Sequence, residues 1–462
     1  MPRTLNLPKD QALWKLVERP TRDALTKIRL YQQALEVGTA PLDAQTSVAR
    51  YGYKALFANP WIATAGTLYS YKDLDGLAEL VAAIQESPII ASKLGRSDPA
   101  AEDCSRQTNI HAHEVAMIPL VLADRYTARN RKAIDNDTLA RLYLDQEAYL
   151  LGTDLRADII VPILGAQLAK GYRFKEFSVT KATPETRSIF VKAQDISPMD
   201  APDLGRFDYA MLIRNTPVDV VGHGYYFGAG PHEDGYNLIA KFFEGLNIVA
   251  PRGAWYAQLA VRPRGWAGFF ENTRGSTFSF LFRDYITRVI NRAHGHCIDI
   301  DNKRMIAAHR YGLALGNCHP NVRVAAERLM HACERSSDAD TIVDLCIGIE
   351  AILGSGFGET VHKLCMRAAA MLTQAGWKDS QSLYNAMRDT YSYRSKIVHG
   401  VPGPHKQSVL RIDKVPYDAS RFALAALSSL LELTLSTEGF DPNRIDEKFI
   451  FAALDVAGAQ SR

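Results

Sequence analysis

An arginine, a lysine and a histidine lie close together near the end of the chain, within residues 394–399. A guanidinium binds phosphate through parallel hydrogen bonds, and an imidazole carries a proton near neutral pH. The pair therefore suits chemistry on a phosphodiester: Arg394 would bind the scissile phosphate and His399 would transfer a proton. A surface helix that ends on cations gives the same pattern, because the helix dipole favours positive charge in the last turn.

A helix must position these side chains. Apolar residues recur at spacings of three, four and seven through Tyr384, Met387, Tyr391 and Val398. This pattern predicts a helix, and Gly400 predicts its end. Ser395 and His399 are four apart and share a face, whereas Arg394 and His399 are five apart, roughly 140° around the helix. One site can include both only if it wraps over an edge of the helix or if the last turn loosens.

The residues before this segment show more helical periodicity, at about 322–332, 342–353 and 360–373, with a Gly-rich break at 354–358. The sequence IEAILG ends the second of these segments, and VHKLCMRAAA opens the third. Together with the Arg-Ser-Lys-Ile-Val-His-Gly string at 394–400, they resemble the Apea-like branch of the HEPN domains. The resemblance covers roughly residues 305–440, which is under a third of the chain.

HEPN domains are small helical bundles, and many are metal-independent ribonucleases with an Arg-x(4–6)-His motif. The resemblance implies that RNA is cleaved by its own 2′-hydroxyl, without a cofactor, to leave a 2′,3′-cyclic phosphate and a 5′-hydroxyl. His399 would be the general acid and base, Arg394 would bind phosphate, and Lys396 would add a second positive charge. Ser395 would orient His399 or the phosphate, although many HEPN nucleases carry Asn, Asp or His there. Glu350 is a candidate partner of Arg394, or a surface carboxylate.

The resemblance also implies partners. HEPN domains usually pair, so that two Arg-His sets face one another, and we expect a homodimer through the C-terminal domain. The expected substrate is RNA, either single-stranded or tRNA. Proteins of this branch are associated with bacterial antiviral defence, where an attached domain senses infection. The first 300 residues would then respond to a phage-derived trigger and control the nuclease.

Composition indicates a folded protein of several domains. The chain has 462 residues, 47% of them hydrophobic, and a net charge of +3. This excludes global disorder, and the six cysteines lack the pairing expected of a disulfide-rich secreted protein. The chain shows no apolar signal region at its start and no apolar run of membrane-spanning length. We therefore expect a cytoplasmic protein with no membrane association.

The fold class expected is α+β multidomain. Residues 1–155 are predicted to be mainly helical, with helices near 74–84, capped by Asp73, and 138–151, capped by Asp137. Residues 156–300 are predicted to be β-rich, residues 301–440 to form the helical HEPN domain, and residues 441–462 to be a tail. The strands predicted in the middle region are 172–179, 188–193, 207–214, 218–227, 255–262 and 277–282, with one helix near 236–246.

Residues 250–310 combine ten Lys or Arg with four Asp or Glu, interleaved with aromatic residues. Aromatic faces and basic groups suit single-stranded nucleic acid, because bases stack while phosphates pair with cations. The candidates for RNA binding are Arg252, Arg262, Arg264 and Arg274. A sheet with an aromatic core face and a solvated Arg face would give the same composition. Arg367 is either a further RNA contact or a salt bridge inside the bundle.

Two groups of residues resemble metal ligands, but neither has the spacing of a known zinc module. The first is the segment 111–114, where two histidines two residues apart would point apart on a helix. The second combines the His and Cys residues of 294–297 with those of 318–319. We therefore predict no metal.

Two other functions remain open at the level of sequence. The C-terminal domain could be a non-catalytic HEPN module that dimerises or holds RNA, with Arg394 and His399 serving only as solvated cap residues. Alternatively, the β-rich region could be the enzyme, although no nucleophile–base pair or carboxylate pair stands out there.

Overall fold

The computed structural model of the protein describes residues 8–58, 66–94, 111–129, 134–194, 207–221, 228–256, 258–267, 278–281, 297–335, 337–354, 361–400, 409–412 and 415–451. Within these ranges the chain is mostly helical, with an antiparallel sheet in the middle. The predicted α+β class is confirmed. None of the described helices is long and apolar enough to cross a lipid bilayer.

The first part of the chain is helical, as predicted. Its helices are α1 (Gln11–Glu36), α2 (Leu42–Tyr51), α3 (Leu77–Gln85), α4 (Pro88–Leu94), α5 (Ala112–Arg129) and α6 (Asn136–Leu151). A short parallel pair, β1 (Phe57–Ala58) and β2 (Tyr69–Ser70), lies between α2 and α3. Every residue of α5 from 114 to 127 is buried, so this helix forms the centre of the region.

Two predicted helix caps are wrong. Asp73 lies in a 3₁₀ turn, and α3 begins four residues later, after Gly76. Asp135, not Asp137, caps α6, because its carboxylate accepts the N–H groups of Asp137 and Thr138. Both differences are shifts of a few residues, which is where propensity arguments are least reliable.

The middle region contains the sheet. Its strands are β3 (Arg156–Ile163), β4 (Ala166–Leu168), β5 (Tyr172–Arg173), β6 (Ser178–Lys181), β7 (Tyr209–Val221), β8 (Gly228–Pro231), β9 (Gln258–Pro263), β10 (Phe278–Leu281) and β11 (Ile298–Ile300). The main sheet has the order β10-β9-β3-β7-β6-β5, entirely antiparallel, and β8 also pairs with β7. A separate parallel pair joins β11 to β4.

The central strand β3 was not among the predicted strands. It is buried over almost its whole length, with Ile160 opposite Leu212 of β7 and Ala260 of β9. A strand covered on both faces shows no alternation of apolar and polar residues, so period-two reasoning does not detect it.

One predicted strand is a helix. Residues 188–193 lie in α7 (Pro184–Gln194), although Ile189, Phe190 and Val191 favour a strand. The Thr183 hydroxyl accepts a hydrogen bond from the N–H group of Thr186, and Pro184 occupies the first helical position. Both features favour the start of a helix at this point. Phe190 is fully buried against Phe207, so packing outweighs β propensity.

The remaining helices are α8 (Glu233–Val249), α9 (Asn302–Ala314), α10 (Pro320–Glu334), α11 (Asp338–Leu353), α12 (Val361–Gln374), α13 (Ser380–Val398) and α14 (Ala419–Ser436). A hairpin of β12 (Val409–Ile412) and β13 (Val415–Asp418) precedes α14. Short helical turns follow at Pro442–Arg444 and Asp446–Phe451. The helices predicted between 236 and 246 and between 322 and 373 are confirmed.

Helix α8 packs closely against α9, across the boundary predicted at residue 301. The two helices approach at Gly245 and Gly312, where an added Cβ would collide with the carbonyl oxygens of Ala308 and Lys241, respectively. Arg323 of α10 donates two 2.7 Å hydrogen bonds to the Glu244 carboxylate of α8. Helix α8 therefore belongs to the core of the C-terminal helices, although the strands β9, β10 and β11 lie between α8 and α9 in the sequence.

This packing predicts the sign of two substitutions. Gly245→Ala and Gly312→Ala should each lower the free energy of unfolding by about 1–3 kcal/mol, because a methyl group would push the two helices apart. Helix propensity alone predicts the opposite, a gain of about 1 kcal/mol. Urea unfolding measures the difference. Gly316→Ala is the control, since an added Cβ there would come no closer than 3.2 Å to the Leu313 carbonyl oxygen and to the flexible end of Lys241. Increased stability in both variants would contradict the close approach.

Candidate functional site

Helix α13 carries the predicted catalytic segment and anchors it in the core. Asp379 caps the start of the helix by accepting the Ser382 N–H group. One face is buried through Leu383, Ala386, Met387, Thr390, Tyr391 and Tyr393. The last turn emerges from this packed face, so its polar side chains are held by a rigid element.

The helix ends as predicted. His399 is the C-cap residue, and its N–H group still donates to the Ser395 carbonyl at 3.0 Å. Gly400 follows with a φ of +64°, a left-handed conformation that glycine adopts readily. The last turn is therefore not loosened. Arg394 and His399 stay on different faces, and a single ligand would contact both only by wrapping over the edge of the helix.

The side chains of the segment differ in exposure. His399 is exposed, while Arg394, Ser395 and Lys396 are half-buried. The Nε atom of Arg394 is buried and has no hydrogen-bond partner in the described part of the chain. The Nε side of the half-buried Arg394 guanidinium therefore faces the interior of the bundle.

Glu350 of α11 lies near that inner part. Helix α11 packs against α13, and Glu350 is half-buried. Burial raises the pKa of the Glu350 carboxyl, and the charge of Arg394 partly opposes the rise. The charge of Arg394 therefore acts on Glu350, although the two side chains form no hydrogen bond or ion pair with each other in the described part of the chain.

Tyr391 lies near the site, but in the sequence it was considered only as one of the apolar positions of the helix. Its side chain is 5% exposed, and its hydroxyl has no hydrogen-bond partner among the described residues. Burial raises the pKa of Tyr391 well above its ordinary value, and the nearby Cys346 and Glu350 raise it further. The signal in the sequence was its position one turn before Arg394, with a hydroxyl that an apolar pattern ignores.

Cys346 and Cys365 complete the surroundings of Tyr391. Both thiols are fully buried. Burial raises the pKa of Cys365 to about 11 and that of Cys346 still further. Both thiols are therefore neutral at physiological pH, and the charges beside Tyr391 are those of Glu350 and Arg394.

The proposed RNA-binding arginines are placed differently from one another. Arg262 is exposed on β9. Arg264 is also exposed, but it donates hydrogen bonds of 2.6 and 3.0 Å to the Asp158 carboxylate of β3, so a partner already balances its charge. Arg274 lies outside the described residues. Trp266, one of the interleaved aromatic residues, is buried and donates to the Arg156 carbonyl, which makes it part of the core rather than a surface for stacking.

Arg252 is exposed, has a φ of +62°, and donates to the Thr341 hydroxyl at 3.3 Å. Thr341 lies near the start of α11 and Glu350 near its end, nine residues or roughly 14 Å apart along the axis. Arg252 and the Arg394 segment thus contact opposite ends of the same helix.

Arg367 is a structural residue. Its side chain is 1% exposed, and it donates hydrogen bonds of 2.6 and 2.9 Å to the Asp446 carboxylate and one of 2.6 Å to the Leu353 carbonyl. Of the two interpretations of Arg367, this geometry agrees with the internal salt bridge, because a buried guanidinium cannot reach RNA. It also shows that part of the predicted tail packs on α12.

The candidate metal ligands do not form a cluster in the described part of the chain, where no three His, Cys, Asp or Glu side chains converge as metal ligands would. Glu114 accepts the backbone N–H group of His111, and the rings of His111 and His113 stack at 5.4 Å. The His319 ring accepts the Asn321 N–H group and caps α10. His294 and His296 lie outside the described residues.

Comparison with known proteins adds no identification: no family model, no curated protein and no solved structure matches this chain. Interpretation of the site therefore depends on its residues and their geometry.

The pairing of Arg367 with Asp446 predicts a large loss of stability for Asp446→Asn. Removing the charge leaves a buried guanidinium without its partner, which should cost about 3 kcal/mol, the lower end for buried pairs, because Asp446 is partly exposed. The Arg367 hydrogen bond lowers the pKa of Asp446, so this stabilisation is present at neutral pH and is lost as the pH falls below about 4. Urea unfolding at pH 7 and pH 3 measures both effects.

Glu447→Gln is the matched control for that experiment. Glu447, the residue after Asp446, forms a salt bridge with Arg444. Both side chains are more than half exposed, so the substitution should leave the free energy of unfolding almost unchanged. Equal effects of the two substitutions would contradict the structural role of Arg367.

The raised pKa of Glu350 predicts a second dependence on pH. The folded state favours the protonated carboxyl, so the charged form destabilises the fold as the pH rises through the folded-state pKa. Glu350→Gln should therefore be more stable than the wild type at pH 7, and the difference should shrink as the pH falls toward 4.5. Thermal unfolding at several pH values measures this, with exposed Glu438→Gln as the control. A less stable Glu350→Gln variant at pH 7 would show that Arg394 requires its charge.

Proposed function

We propose that this protein is a metal-independent endoribonuclease of the HEPN type. The observation that carries the proposal is the end of α13, where a packed helix presents Arg394 and His399 and places Arg394 beside Glu350 of α11. The resemblance of these segments to Apea-like HEPN domains supports the same function. The number and packing of the helices from α9 to α14 are compatible with a helical bundle of this kind.

The proposed reaction is an internal transesterification. His399 removes the proton from a ribose 2′-hydroxyl, and the 2′-oxygen attacks the adjacent phosphorus. The bond from phosphorus to the 5′-oxygen breaks, and that oxygen receives a proton from the imidazolium of His399, which returns to its neutral form. The products carry a 2′,3′-cyclic phosphate and a 5′-hydroxyl. Arg394 stabilises the negative charge that grows on the phosphate, and Lys396 adds positive charge on the same turn.

A second copy of the chain would complete the site. Because Arg394 and His399 lie on different faces of α13, one set alone surrounds a phosphate poorly, whereas two sets facing each other would enclose it. Large apolar side chains are exposed on the two neighbouring helices, at Val361 and Met366 of α12 and at Val398 of α13. Burial of these side chains would favour a homodimer through the C-terminal helices.

The biological setting proposed is antiviral defence. RNA, either single-stranded or tRNA, is the substrate, and the N-terminal region controls activity in response to a phage-derived trigger. Helix α8 provides a physical route for such control, because it follows β8 of the sheet and packs directly on α9 and α10.

Substitution of the two proposed catalytic residues tests this function. Arg394→Ala and His399→Ala should each abolish RNA cleavage, and the double variant should be little worse than either single one, because both residues act in one step. Both variants should stay folded, since a cation at a helix end contributes only about 0.3–1 kcal/mol. Cleavage of tRNA and of unstructured RNA by purified protein is the measurement.

Two substitutions serve as matched controls. Arg388→Ala changes an exposed arginine on the same helix, and His331→Ala changes an exposed histidine in the last turn of α10. Both should cleave RNA like the wild type. Equal activity of the Arg394, His399 and control variants would contradict the proposal. If the wild type binds RNA and forms dimers but does not cleave, the non-catalytic HEPN scaffold is the correct function.

A further inference from the structure

Three polar side chains of neighbouring helices, Tyr391, Arg394 and Glu350, lie at the proposed site, and no hydrogen bond joins any two of them in the described structure. Tyr391 and Arg394 are three residues apart on α13, so their side chains lie on neighbouring parts of one face. Glu350 comes from α11, which packs against that helix. Glu350 interacts electrostatically with both Tyr391 and Arg394.

Two of these groups are buried donors without acceptors. The hydroxyl of Tyr391 and the Nε–H group of Arg394 are both buried and unpaired within the described chain, and Tyr391 is 95% buried as a residue. A buried donor without an acceptor is unfavourable, because it has given up its hydrogen bond to water. The Glu350 carboxylate has two oxygens that accept hydrogen bonds, as many as there are unpaired donors.

We propose that Tyr391 is a positioning residue which, with Glu350, fixes the Arg394 guanidinium when a phosphodiester binds. In the bound arrangement, Glu350 accepts one hydrogen bond from the Tyr391 hydroxyl and one from Arg394 Nε. The Nη groups of Arg394 then hold the phosphate. In the described structure, neither the Tyr391 hydroxyl nor Arg394 Nε has a hydrogen-bond partner. The inference rests on the function proposed above and adds a residue to that site.

The physical reason for this coupling is the planar guanidinium. A phosphate bound to the Nη groups fixes the plane of the guanidinium, which lowers the entropic cost of ordering Glu350 on its inner edge. Tyr391 supplies the second donor, so the Glu350 charge is satisfied locally. The buried, neutral thiols of Cys346 and Cys365 offer no competing charge.

Tyr391→Phe tests the proposal, with Tyr393→Phe as the matched control. Tyr393 is also buried on α13, but the charges near it are those of Asp338 and Asp418. Tyr391→Phe should lower kcat/KM for RNA cleavage by about 10–100-fold, the effect expected for one hydrogen bond to a charged group, through a lower kcat and a higher KM, because the hydrogen bond forms when the substrate binds. Its Tm should equal or exceed that of the wild type, because the hydroxyl is unpaired in the ligand-free protein. Tyr393→Phe should keep the wild-type kcat. A Tyr391→Phe variant with wild-type kcat, or one that loses stability and activity together, would overturn the proposal.

A second measurement separates this inference from the proposed function. If the wild type cleaves no RNA, the proposed function fails, and a double-mutant cycle of Tyr391→Phe and Glu350→Gln then decides the coupling. The free energy of unfolding is measured with and without a single-stranded 2′-deoxy oligonucleotide as the probe. The two substitutions should be additive without the probe and non-additive with it. Additivity under both conditions would contradict the coupling.

Discussion

The close approach of α8 and α9 is the constraint on which the arrangement of the chain depends. Gly245 and Gly312 let the two backbones meet, and the Glu244–Arg323 ion pair fixes α8 against α10. Because α8 follows directly from a strand of the sheet, the same contact joins the β-rich region to the helices that carry the candidate site. One continuous hydrophobic core accordingly runs from α1 to α14. The contact between α8 and α9 therefore crosses the boundary predicted between the two regions.

The α8–α9 contact stabilises the fold, whereas the polar groups of the candidate site lower its stability. A half-buried carboxylate, a buried phenol hydroxyl and a buried guanidinium nitrogen meet there with their hydrogen-bonding capacity incompletely used. Among the described residues of α9 to α14, the only buried side-chain atoms without a hydrogen-bond partner are the Tyr391 hydroxyl oxygen and Arg394 Nε. In the same group of helices, the buried Arg367 guanidinium by contrast donates hydrogen bonds to Asp446 and to a backbone carbonyl. Unused hydrogen-bonding capacity of the kind shown by Tyr391 and Arg394 is expected where a protein gives up stability for function.

The sequence predicted the parts of the structure that depend on local patterns. The helices from 322 to 398 follow their apolar periodicity, and Gly400 ends α13 as its type requires. Where tertiary packing decides, local patterns failed. Residues 188–193 form a helix because Phe190 is buried and Thr183 starts the helix, and β3 was missed because a strand buried on both faces shows no alternation. The partners of Arg264 and Arg367 lie 106 and 79 residues away, so no local pattern could reveal that these arginines are already paired. The same holds for Tyr391, whose role depends on a carboxylate from another helix.

The proposed mechanism depends most directly on the chemistry of RNA cleavage, since a ribose 2′-hydroxyl is the proposed nucleophile. The decisive measurement uses an RNA cleaved at one mapped position and the same RNA with a single 2′-deoxy nucleotide there, both incubated with the protein in EDTA. We predict that the unmodified RNA yields a 2′,3′-cyclic phosphate and a 5′-hydroxyl, and that the substituted RNA is not cut at that position. Cleavage of the 2′-deoxy substrate, products with a 5′-phosphate, or activity that appears only with added Mg²⁺ would contradict the proposed mechanism.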